Sequence, residues 1–471
     1  MLFPPAREYM ATDLIVSASG IRGIVGTGLT EHRAERYGAA FGRFLSAAGG
    51  AGHVILGRDS RVSGPAMASA ASAGLRGGGL DVVDVGVVPT PTGLLACQDD
   101  PSAVGALLVT ASHNPVEWNG LKLAGRQGEF LSPEEGLQVQ RLYESDSAET
   151  PASPASGRQT ERLDAIEAHL SRIGDLSLVE PDRIGGRRLT VAVDCVRGAG
   201  GRIMPQLLER LGCQVIGLDL EPDGHFPRNP EPTVANLGAL SAAVSGSDAD
   251  LGLAVDPDVD RLALVDGNGV AIGEDWTLAL VVDLVLSHTP GPVVTNLSTS
   301  LCVADSADRA GQPFHRSPVG EANVARRMLE VGAVIGGEGN GGVMLPELHL
   351  TRDAPLAAAL ILQLLAERET TLEALIAARP GYHSAKSRIP RPAGELEDAY
   401  ALIVRSLGDG ATEDRQDGLF LEWPDRRWLH VRPSGTEPIL RVMAEAPDES
   451  EALRLAGETV RMLSALGEGT A

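Results

Sequence analysis

Apolar residues occur along the chain in two alternating patterns, short runs and longer stretches of helical spacing. The short runs end at Gly, Asn or Asp, as buried strands do, whereas the longer Ala- and Leu-rich stretches repeat apolar positions every three or four residues. This alternation is typical of α/β units and predicts three similar α/β domains with mixed sheets. The predicted strands and helices lie at residues 54–56, 66–75 and 82–85, then at 189–193, 203–211 and 215–218, and then at 293–296 and 303–310.

Interruptions of this pattern predict where the domains meet. The chain has 471 residues, enough for about three or four domains. Residues 149–157 contain two prolines and no periodic apolar face, which indicates a linker. The turn at 266–269 and the prolines Pro380, Pro390 and Pro392 mark two further breaks. We expect α/β domains at 1–157, 158–273 and 274–383, and a smaller α+β domain at 384–471 with helices at 396–407 and 449–466 and a strand at 428–431.

Charge and composition exclude several classes of partner. Lys and Arg number 40 against 63 Asp and Glu, a net charge of −23, which disfavours nucleic acid and anionic membranes as partners. No apolar run approaches the roughly 18 residues that span a bilayer. The start of the chain lacks the basic and apolar order of a secretory signal, and the four cysteines form no CxxC pair. The sequence predicts a soluble, cytoplasmic protein without a zinc site, and either a monomer or a homodimer is compatible with it.

Ser112 is a candidate nucleophile. It follows the apolar run at 105–109, so a strand brings it to the edge of the first predicted sheet. The Asn114-Pro115 pair forces a turn that keeps the hydroxyl exposed. An ordinary turn with an incidental serine is the alternative. His113 alone is weak evidence for a base, because nucleophile and base must meet in space.

A second loop places Asp256, Asp258 and Asp260 at alternate positions after an apolar run. Carboxylates so spaced can converge on one hard cation, and three protein oxygens leave room for a phosphate, which suits Mg²⁺ better than Ca²⁺. An EF-hand is excluded because Arg261 and Gly267 stand at its sixth and twelfth positions, where Gly and Glu are needed. A solvated acidic turn is the alternative.

Two glycine-containing loops have polar side chains suited to a sugar phosphate. Five glycines at 336–342 let the backbone approach a ligand, while Glu338 and Asn340 can bond sugar hydroxyls. The glycines of this loop are not a GxGxxG that opens a helix, which argues against a dinucleotide site. Residues 432–438 combine an Arg fork, two hydroxyls and glycine-freed amides, as a phosphate site does. A flexible turn is the alternative at both places.

In this order, the four loops resemble those of the α-D-phosphohexomutase family, and the resemblance covers nearly the whole chain. It implies four domains around a central cleft and a Mg²⁺-dependent phosphosugar mutase, an intramolecular phosphotransferase activated by a sugar 1,6-bisphosphate. Further segments that resemble family motifs are S-G-I-R-G at 19–23, G-R-D-S-R at 57–61, N-G-L-K at 119–122, H-F-P at 225–227, P-E-P at 230–232 and P-V-G at 318–320.

The resemblance also implies a role for each residue of the transfer step. Ser112 carries the phosphoryl group as a phosphoserine. Arg22 and Arg261 neutralise charge on the moving group. Lys122 exchanges a proton with the reacting hydroxyl, since nearby cations depress its pKa, and Arg58 is either its helper or its competitor for that role. The ligands of Mg²⁺ are Ser112, Asp256, Asp258 and Asp260.

The remaining roles concern binding. By the same resemblance His113 orients its neighbours, and Glu338 and Asn340 hold hydroxyls common to two poses of the sugar. From the proline-rich join near Pro390 we also expect a hinge there that lets the fourth domain open. The phosphate that is not reacting is bound by Arg432, Ser434, Gly435, Thr436 and Arg441.

The form G-E-G-N-G-G at 337–342, with S-A-S-G-I-R-G at 17–23, resembles the phosphoglucosamine mutase branch of the family. It implies conversion of glucosamine-6-phosphate to glucosamine-1-phosphate. Glucose or mannose phosphate is the alternative substrate, because many relatives have Ser in place of Asn340. A serine-phosphate phosphatase and a non-catalytic sugar-phosphate sensor are the alternative classes.

Overall fold

Four sheets follow one another along the chain. The computed structural model describes residues 14–17, 20–49, 52–145, 157–392, 394–434 and 439–468. Among these residues, none of the helices is both long enough and apolar enough to cross a bilayer. Three sheets are mixed and the last is antiparallel, which confirms the predicted fold class.

The first unit is a seven-stranded mixed sheet with four helices. Its elements are β1 (Leu14–Ser17), β2 (Gly20–Ile24), α1 (Glu31–Ala47), β3 (His53–Arg58), α2 (Gly64–Gly77), β4 (Asp81–Val87), α3 (Thr90–Gln98), β5 (Ala103–Val109), β6 (Trp118–Gly125), α4 (Pro133–Ser145) and β7 (Gln159–Glu161). The strand order is β1-β2-β6-β5-β3-β4-β7. Because β7 pairs with β4, this sheet extends past residue 157, where the sequence placed the first boundary; most of the predicted linker lies outside the described residues.

The second unit has a four-stranded sheet in the order β11-β10-β8-β9. Its elements are α5 (Ala165–Gly174), α6 (Pro181–Gly186), β8 (Thr190–Asp194), α7 (Gly200–Arg210), β9 (Gln214–Leu218), a short 3-10 helix (Val234–Asn236), α8 (Gly238–Ser245), β10 (Leu251–Val255) and β11 (Leu262–Asp266). β10 delivers the acidic loop at its carboxyl end, and β11 returns antiparallel beside it.

The third unit repeats this arrangement in the order β13-β12-β14-β15. Its elements are α9 (Asp275–His288), β12 (Val293–Asn296), α10 (Leu301–Arg309), β13 (Phe314–Ser317), α11 (Glu321–Val331), β14 (Ile335–Glu338), β15 (Gly342–Met344), α12 (Ala354–Glu367) and α13 (Leu372–Ala377). Residues 354–366 of α12 are all buried. This helix is apolar on nearly every side because it packs between the second and third units, which share one hydrophobic core.

The fourth unit is an antiparallel sheet, β16-β20-β19-β18-β17, with two helices on one face. Its elements are β16 (His383–Pro390), α14 (Leu396–Leu407), β17 (Thr412–Asp414), β18 (Leu419–Trp423), β19 (Arg427–Pro433), β20 (Ile439–Ala446) and α15 (Glu449–Glu468). The expected hinge position needs correction. Pro390 pairs with Ile439 inside this sheet, so the join to the third unit lies at residues 378–382.

Candidate active site

The loop that carries Ser112 is held by a buried arginine that sequence reasoning left without a role. Arg61 is fully buried and donates to four backbone carbonyls of the loop, at Ser112, Asn114, Pro115 and Trp118. Its Nε also donates to a carboxylate oxygen of Asp59, at 3.0 Å. Five donors in a rigid plane can hold an irregular loop that has no sheet partners.

Ser112 adopts a left-handed backbone conformation, with φ 51°. A non-glycine residue costs about 1–3 kcal/mol there unless its surroundings enforce it. Here they do, because the Ser112 amide donates to Thr110 Oγ1 at 2.9 Å and Arg61 holds its carbonyl. The strained turn directs Oγ toward the second unit, where it donates to Asp256 Oδ2 at 3.2 Å. His113 Nδ1 lies 3.3 Å from the same Oγ.

Asp256, Asp258 and Asp260 converge as the sequence predicted. All three are fully buried, and one carboxylate oxygen from each lies within 4.8 Å of the others. Asp258 Oδ1 and Asp260 Oδ1 accept no hydrogen bond from any described residue. Buried, unsatisfied carboxylate oxygens are costly. This donor set of hard, anionic oxygens fits Mg²⁺.

The turn that aligns these carboxylates is itself strained. Val259 between them has φ 62° although it is β-branched and fully buried. Its amide donates to the Asp256 carbonyl and its carbonyl accepts from the Ala354 amide at 3.2 Å. The conformation of the acidic loop is therefore enforced in part by the third unit.

Cations surround the carboxylates and act on their pKa values unequally. Burial and the charges of Asp260 and Asp258 raise the pKa of Asp256 well above its usual range. Burial also raises the pKa of Asp260, but Arg352 and Lys122 outweigh it, so that pKa is lowered. Arg352 Nη2 donates to Asp260 Oδ2 at 2.6 Å.

The expected depression of the Lys122 pKa is wrong. Burial does lower it, but Asp258 and Asp260 outweigh burial and raise the pKa of Lys122. Its Nζ lies 2.7 Å from Asp258 Oδ2 and 3.3 Å from Asp260 Oδ2. Lys122 is therefore protonated in this arrangement.

Two other basic residues of the first unit, Arg22 and Arg58, contact different segments of the chain. Arg22 donates to Asn114 Oδ1 at 3.1 Å, next to the serine loop. Arg58 donates to the Asp59 carbonyl at 3.4 Å.

Arg261 links the acidic loop to the P-E-P segment. Its Nη1 donates to Glu231 Oε1 at 3.1 Å, while Nε lies 3.7 Å from Asp260 Oδ1, beyond hydrogen-bond reach. His113 Nε2 lies 3.8 Å from the same Glu231 oxygen. Burial and then the Arg261 charge lower the pKa of His113 well below its usual range. His113 is therefore neutral in this arrangement, and protonation of its ring is disfavoured.

Glu338 is already well supplied with donors. Asn296 Nδ2 and the Gly320 amide donate to Oε1 at 2.8 and 3.1 Å, and Arg352 Nη1 donates to Oε2 at 2.9 Å. The fourth donor, Asn340 Nδ2, is the most distant at 3.4 Å. A carboxylate accepts about four hydrogen bonds, so these four donors satisfy Glu338, and the Asn340 amide is the weakest of them.

The glycines of this loop approach the protein rather than open space. A Cβ on Gly341, whose φ is +85°, would lie 2.3 Å from the Leu262 carbonyl oxygen, and one on Gly342 would lie 2.2 Å from Arg352 Cδ. They allow the segment between β14 and β15 to pack against the start of β11 and leave room for the Arg352 side chain. Arg352, which sequence reasoning missed, thus contacts both Asp260 and Glu338.

Three arginines lie side by side on the fourth sheet, and two of them, Arg432 and Arg441, line the site. Arg388 pairs with Arg441 across β16 and β20, and Arg441 pairs with Arg432 across β20 and β19. Residues directly opposite each other on neighbouring strands lie on the same face of the sheet. Like charges in such a pair destabilise the sheet unless an anion lies between them. Asp417 Oδ2 lies 2.8 Å from Arg432 Nε. The structure describes Ser434, whereas Gly435 and Thr436 lie outside the described residues.

Residues next to the serine and aspartate loops line one cleft of about 550 Å³ together with residues of the third and fourth units. The expected central cleft is therefore present. Each of the four units contributes polar side chains to its lining, namely His113, Lys122, Glu231, Arg261, Glu321, Glu338, Asn340, Arg352, Lys386, Arg432 and Arg441.

Comparison with known families agrees with this architecture. Four models match in order: phosphoglucomutase/phosphomannomutase α/β/α domain I at residues 13–150, domain II at 167–269, domain III at 273–382 and the C-terminal domain at 385–462. The chain belongs to the phosphoglucomutase/phosphomannomutase family. The resemblance inferred from the loops is thus confirmed, and the chain is a phosphosugar mutase, an isomerase.

Individual members of the family are similar over nearly their whole length. A probable phosphoglucosamine mutase of Methanopyrus kandleri is 38% identical over 94% of this chain and 96% of that protein. A phosphoglucomutase/phosphomannomutase of Thermococcus kodakarensis is 37% identical over 92% and 94%. The crystal structure of a phosphoglucomutase/phosphomannomutase family protein from Burkholderia thailandensis superposes with a TM-score of 0.84 at 29% identity, covering 97% and 98% of the two chains.

Proposed function

We propose that this mutase interconverts a hexose 6-phosphate and a hexose 1-phosphate through a phosphoserine at Ser112 and a sugar bisphosphate. The observation that carries the proposal is the pairing of two sites in one cleft. Ser112 Oγ lies 3.2 Å from Asp256, and the adjacent His113 lines the same cleft as Arg432 and Arg441 of the fourth unit. A phosphatase needs the first site alone, whereas a mutase must also hold a second phosphate.

In the first half-reaction, the free hydroxyl of the sugar attacks the phosphorus. A bond from phosphorus to the sugar oxygen forms while the bond to Ser112 Oγ breaks. The hydroxyl loses a proton and Oγ gains one, so the step is balanced by net proton transfer to the serine. We assign the proton exchange to Lys122, with His113 orienting Oγ from 3.3 Å.

The second half-reaction returns the other phosphate to Ser112. The bisphosphate turns by about a half circle between the two transfers, which requires a nearly symmetric site. Glu338 and Asn340 would bond hydroxyls available in both poses, and Arg432 with Arg441 would hold the idle phosphate. A bisphosphate that escapes leaves an unphosphorylated enzyme, so we also propose that added sugar 1,6-bisphosphate activates it.

The charge of the moving group needs neutralising in a loose, anionic transition state. Asp256, Asp258 and Asp260 would hold Mg²⁺, with an oxygen of the phosphorylated Ser112 as a further ligand. Bound there, the ion supplies positive charge to the phosphoryl oxygens. Arg261, buried and held by Glu231, supplies charge from the protein side.

For the sugar, we propose glucosamine phosphate, with glucose or mannose phosphate as the alternative. The G-E-G-N-G-G form of the loop supports the amino sugar, as does a Glu338 carboxylate in the cleft to face its ammonium group. The cytoplasmic location and the choice between monomer and homodimer stay predictions.

A substrate comparison tests the proposal. Glucosamine-6-phosphate, glucose-1-phosphate and mannose-1-phosphate are supplied separately with Mg²⁺ and a bisphosphate primer, and kcat/KM is measured for each. We expect the highest kcat/KM for the amino sugar and a lag without primer. A higher value for either hexose would overturn the substrate assignment, and release of free phosphate without isomerisation would favour the phosphatase.

A further inference from the structure

A second buried cluster of titratable side chains lies behind the acidic loop. Asp353 Oδ2 is 2.8 Å from His169 Nε2 and 2.8 Å from His349 Nε2. Thr92 Oγ1 is 2.8 Å from the other nitrogen of His169. All four side chains are buried. We call this group the His-Asp-His cluster.

The cluster joins three units of the chain. Thr92 belongs to α3 of the first unit and His169 to α5 of the second, while His349 and Asp353 precede α12 of the third. Each ring presents an Nε2 to the same oxygen. Burial raises the pKa of Asp353, but contact with His169 and His349 outweighs burial and lowers it, so the carboxylate stays ionised and accepts from both rings.

The neighbours of these residues in sequence reach the transfer centre. Arg352, directly before Asp353, donates to Asp260 at 2.6 Å. The Ala354 amide, directly after it, donates to the Val259 carbonyl. On α3, Thr90 Oγ1 donates to Asp258 Oδ2 at 2.7 Å, two residues before Thr92.

A metal site is the competing interpretation, since two histidines and a carboxylate are common ligands of zinc. The distances oppose it. Ligands of a tetrahedral zinc lie about 3.3 Å apart, given bonds of about 2.0 Å, whereas both nitrogens here are 2.8 Å from one oxygen. That spacing is the spacing of N–H donors bonded to an acceptor.

We propose that Asp353, with His169 and His349, is a positioning site for the transfer centre: it locks the three units together and thereby places Arg352 and the acidic loop. The proposal rests on the assignment of Asp256, Asp258 and Asp260 to Mg²⁺. None of the cluster residues touches the reacting atoms, so they act through Arg352, Val259 and Thr90.

The test is the variant Asp353→Asn. Asn retains the volume and the cap that Asp353 Oδ1 provides to the Leu356 amide, but it loses the charge and cannot bond both rings equally. The matched control is Asp100→Asn, which alters a histidine–aspartate contact of 3.0 Å to His53, away from the cleft. Both variants are purified as full-length enzyme.

Two measurements are made on each variant. The first is the Mg²⁺ concentration that half-maximally raises the melting temperature in the absence of sugar, which requires no turnover. The second is kcat and KM for the best hexose phosphate. For Asp353→Asn we expect a rise of about tenfold in that Mg²⁺ concentration and a fall of about tenfold in kcat, the scale of lost support for metal ligands, with KM within about twofold. The control should leave both unchanged.

A lower melting temperature of Asp353→Asn, with unchanged Mg²⁺ dependence and kcat, would show a structural role alone and overturn the proposal. His169→Gln should restore part of what His169→Ala loses, because Gln can still donate to Asp353; equal loss in both would also contradict it. If the purified wild-type enzyme contained stoichiometric zinc and the variant His349→Ala did not, the cluster would be a metal site and the proposal would be overturned. If the wild-type enzyme isomerises no hexose phosphate, the proposed function fails, yet the Mg²⁺ melting measurement still decides this inference.

Discussion

The two ends of the cleft are built in opposite ways. At the transfer end, the carboxylates of Asp256, Asp258 and Asp260 are fully buried, and contacts from three units hold the loop. At the phosphate end, Arg388 is exposed and Arg432 and Arg441 are half-buried, on the surface of one sheet. The first end is enclosed by neighbouring units, whereas the second is open along one side.

This difference fits the two tasks of a mutase. Phosphoryl transfer depends on alignment, and a misplacement of about 1 Å can cost two orders of magnitude in rate. The idle phosphate needs charge rather than alignment, and it must leave whenever the intermediate turns. Substitutions at the transfer end should therefore lower kcat, and substitutions at the phosphate end should raise KM.

The largest effect is expected for Ser112→Ala. Without the carrier oxygen the phosphoenzyme cannot form, so kcat/KM should fall by about 10⁴-fold or more, as for other lost nucleophiles. Intact mass should show no phosphorylated form after incubation with bisphosphate. Ser72→Ala, which removes another buried serine of the first unit, should retain wild-type turnover; similar loss in both variants would contradict the carrier role.

Asp258→Asn should lower kcat by about 10³-fold, because Mg²⁺ supplies several kcal/mol of charge stabilisation in such reactions. Chelation should abolish wild-type activity, and added Mg²⁺ should restore it. Calorimetric titration with Mg²⁺ measures the loss of binding directly. Asp266→Asn, which affects a carboxylate that bonds its own loop amides after β11, is the control, and undiminished Mg²⁺ binding by Asp258→Asn would exclude this loop as the metal site.

Arg61→Lys should lower kcat by about 100-fold with little change in KM. A lysine cannot satisfy four carbonyls and Asp59 together, so the free energy of unfolding should also fall by about 3 kcal/mol. Arg126→Lys, at an exposed arginine bonded to the Pro101 carbonyl, is the control. Urea melts measure the change in stability, and steady-state kinetics measure the change in kcat. A change confined to KM would contradict the assignment of Arg61 to the transfer end.

Arg432→Ala should act at the other end and raise KM by about tenfold, the equivalent of a charge-assisted hydrogen bond of about 1.5 kcal/mol, with kcat nearly unchanged. Arg388→Ala, at the exposed end of the row, should raise KM by about twofold to threefold. Both differences should shrink with added salt. Arg454→Ala on α15 is the control. A fall in kcat without a rise in KM for Arg432→Ala would contradict the proposed difference between the two ends of the cleft.

Predictions from the sequence were confirmed where the structure of a segment depends mainly on its own residues. The helix predicted at 396–407 coincides with α14, because its apolar residues repeat at helical spacing. The three aspartates converge because their alternate spacing places them on one turn. Gly435 and Thr436 stay predictions, as do the domain boundaries and the role of each site residue.

The errors have a common physical cause, which is contact between segments distant along the chain. The raised pKa of Lys122 depends on two carboxylates 136 and 138 positions away. Pro390 was expected in a hinge because proline interrupts helices, but pairing with Ile439 places it in a sheet. Neither outcome is readable from the flanking residues.

The amino-acid sequence alone determined the fold class, the family, the carrier serine as a candidate and the acidic loop, since each depends on residues close together along the chain. Tertiary structure alone revealed the difference between the ends of the cleft. Arg61, Arg352 and the His-Asp-His cluster acquire their roles from partners brought together by folding; His169 and Asp353 lie 184 positions apart. Hydrogen bonds are electrostatically stronger in the low-dielectric interior where these units meet. The pattern of residues along the chain does not show which side chains will meet there.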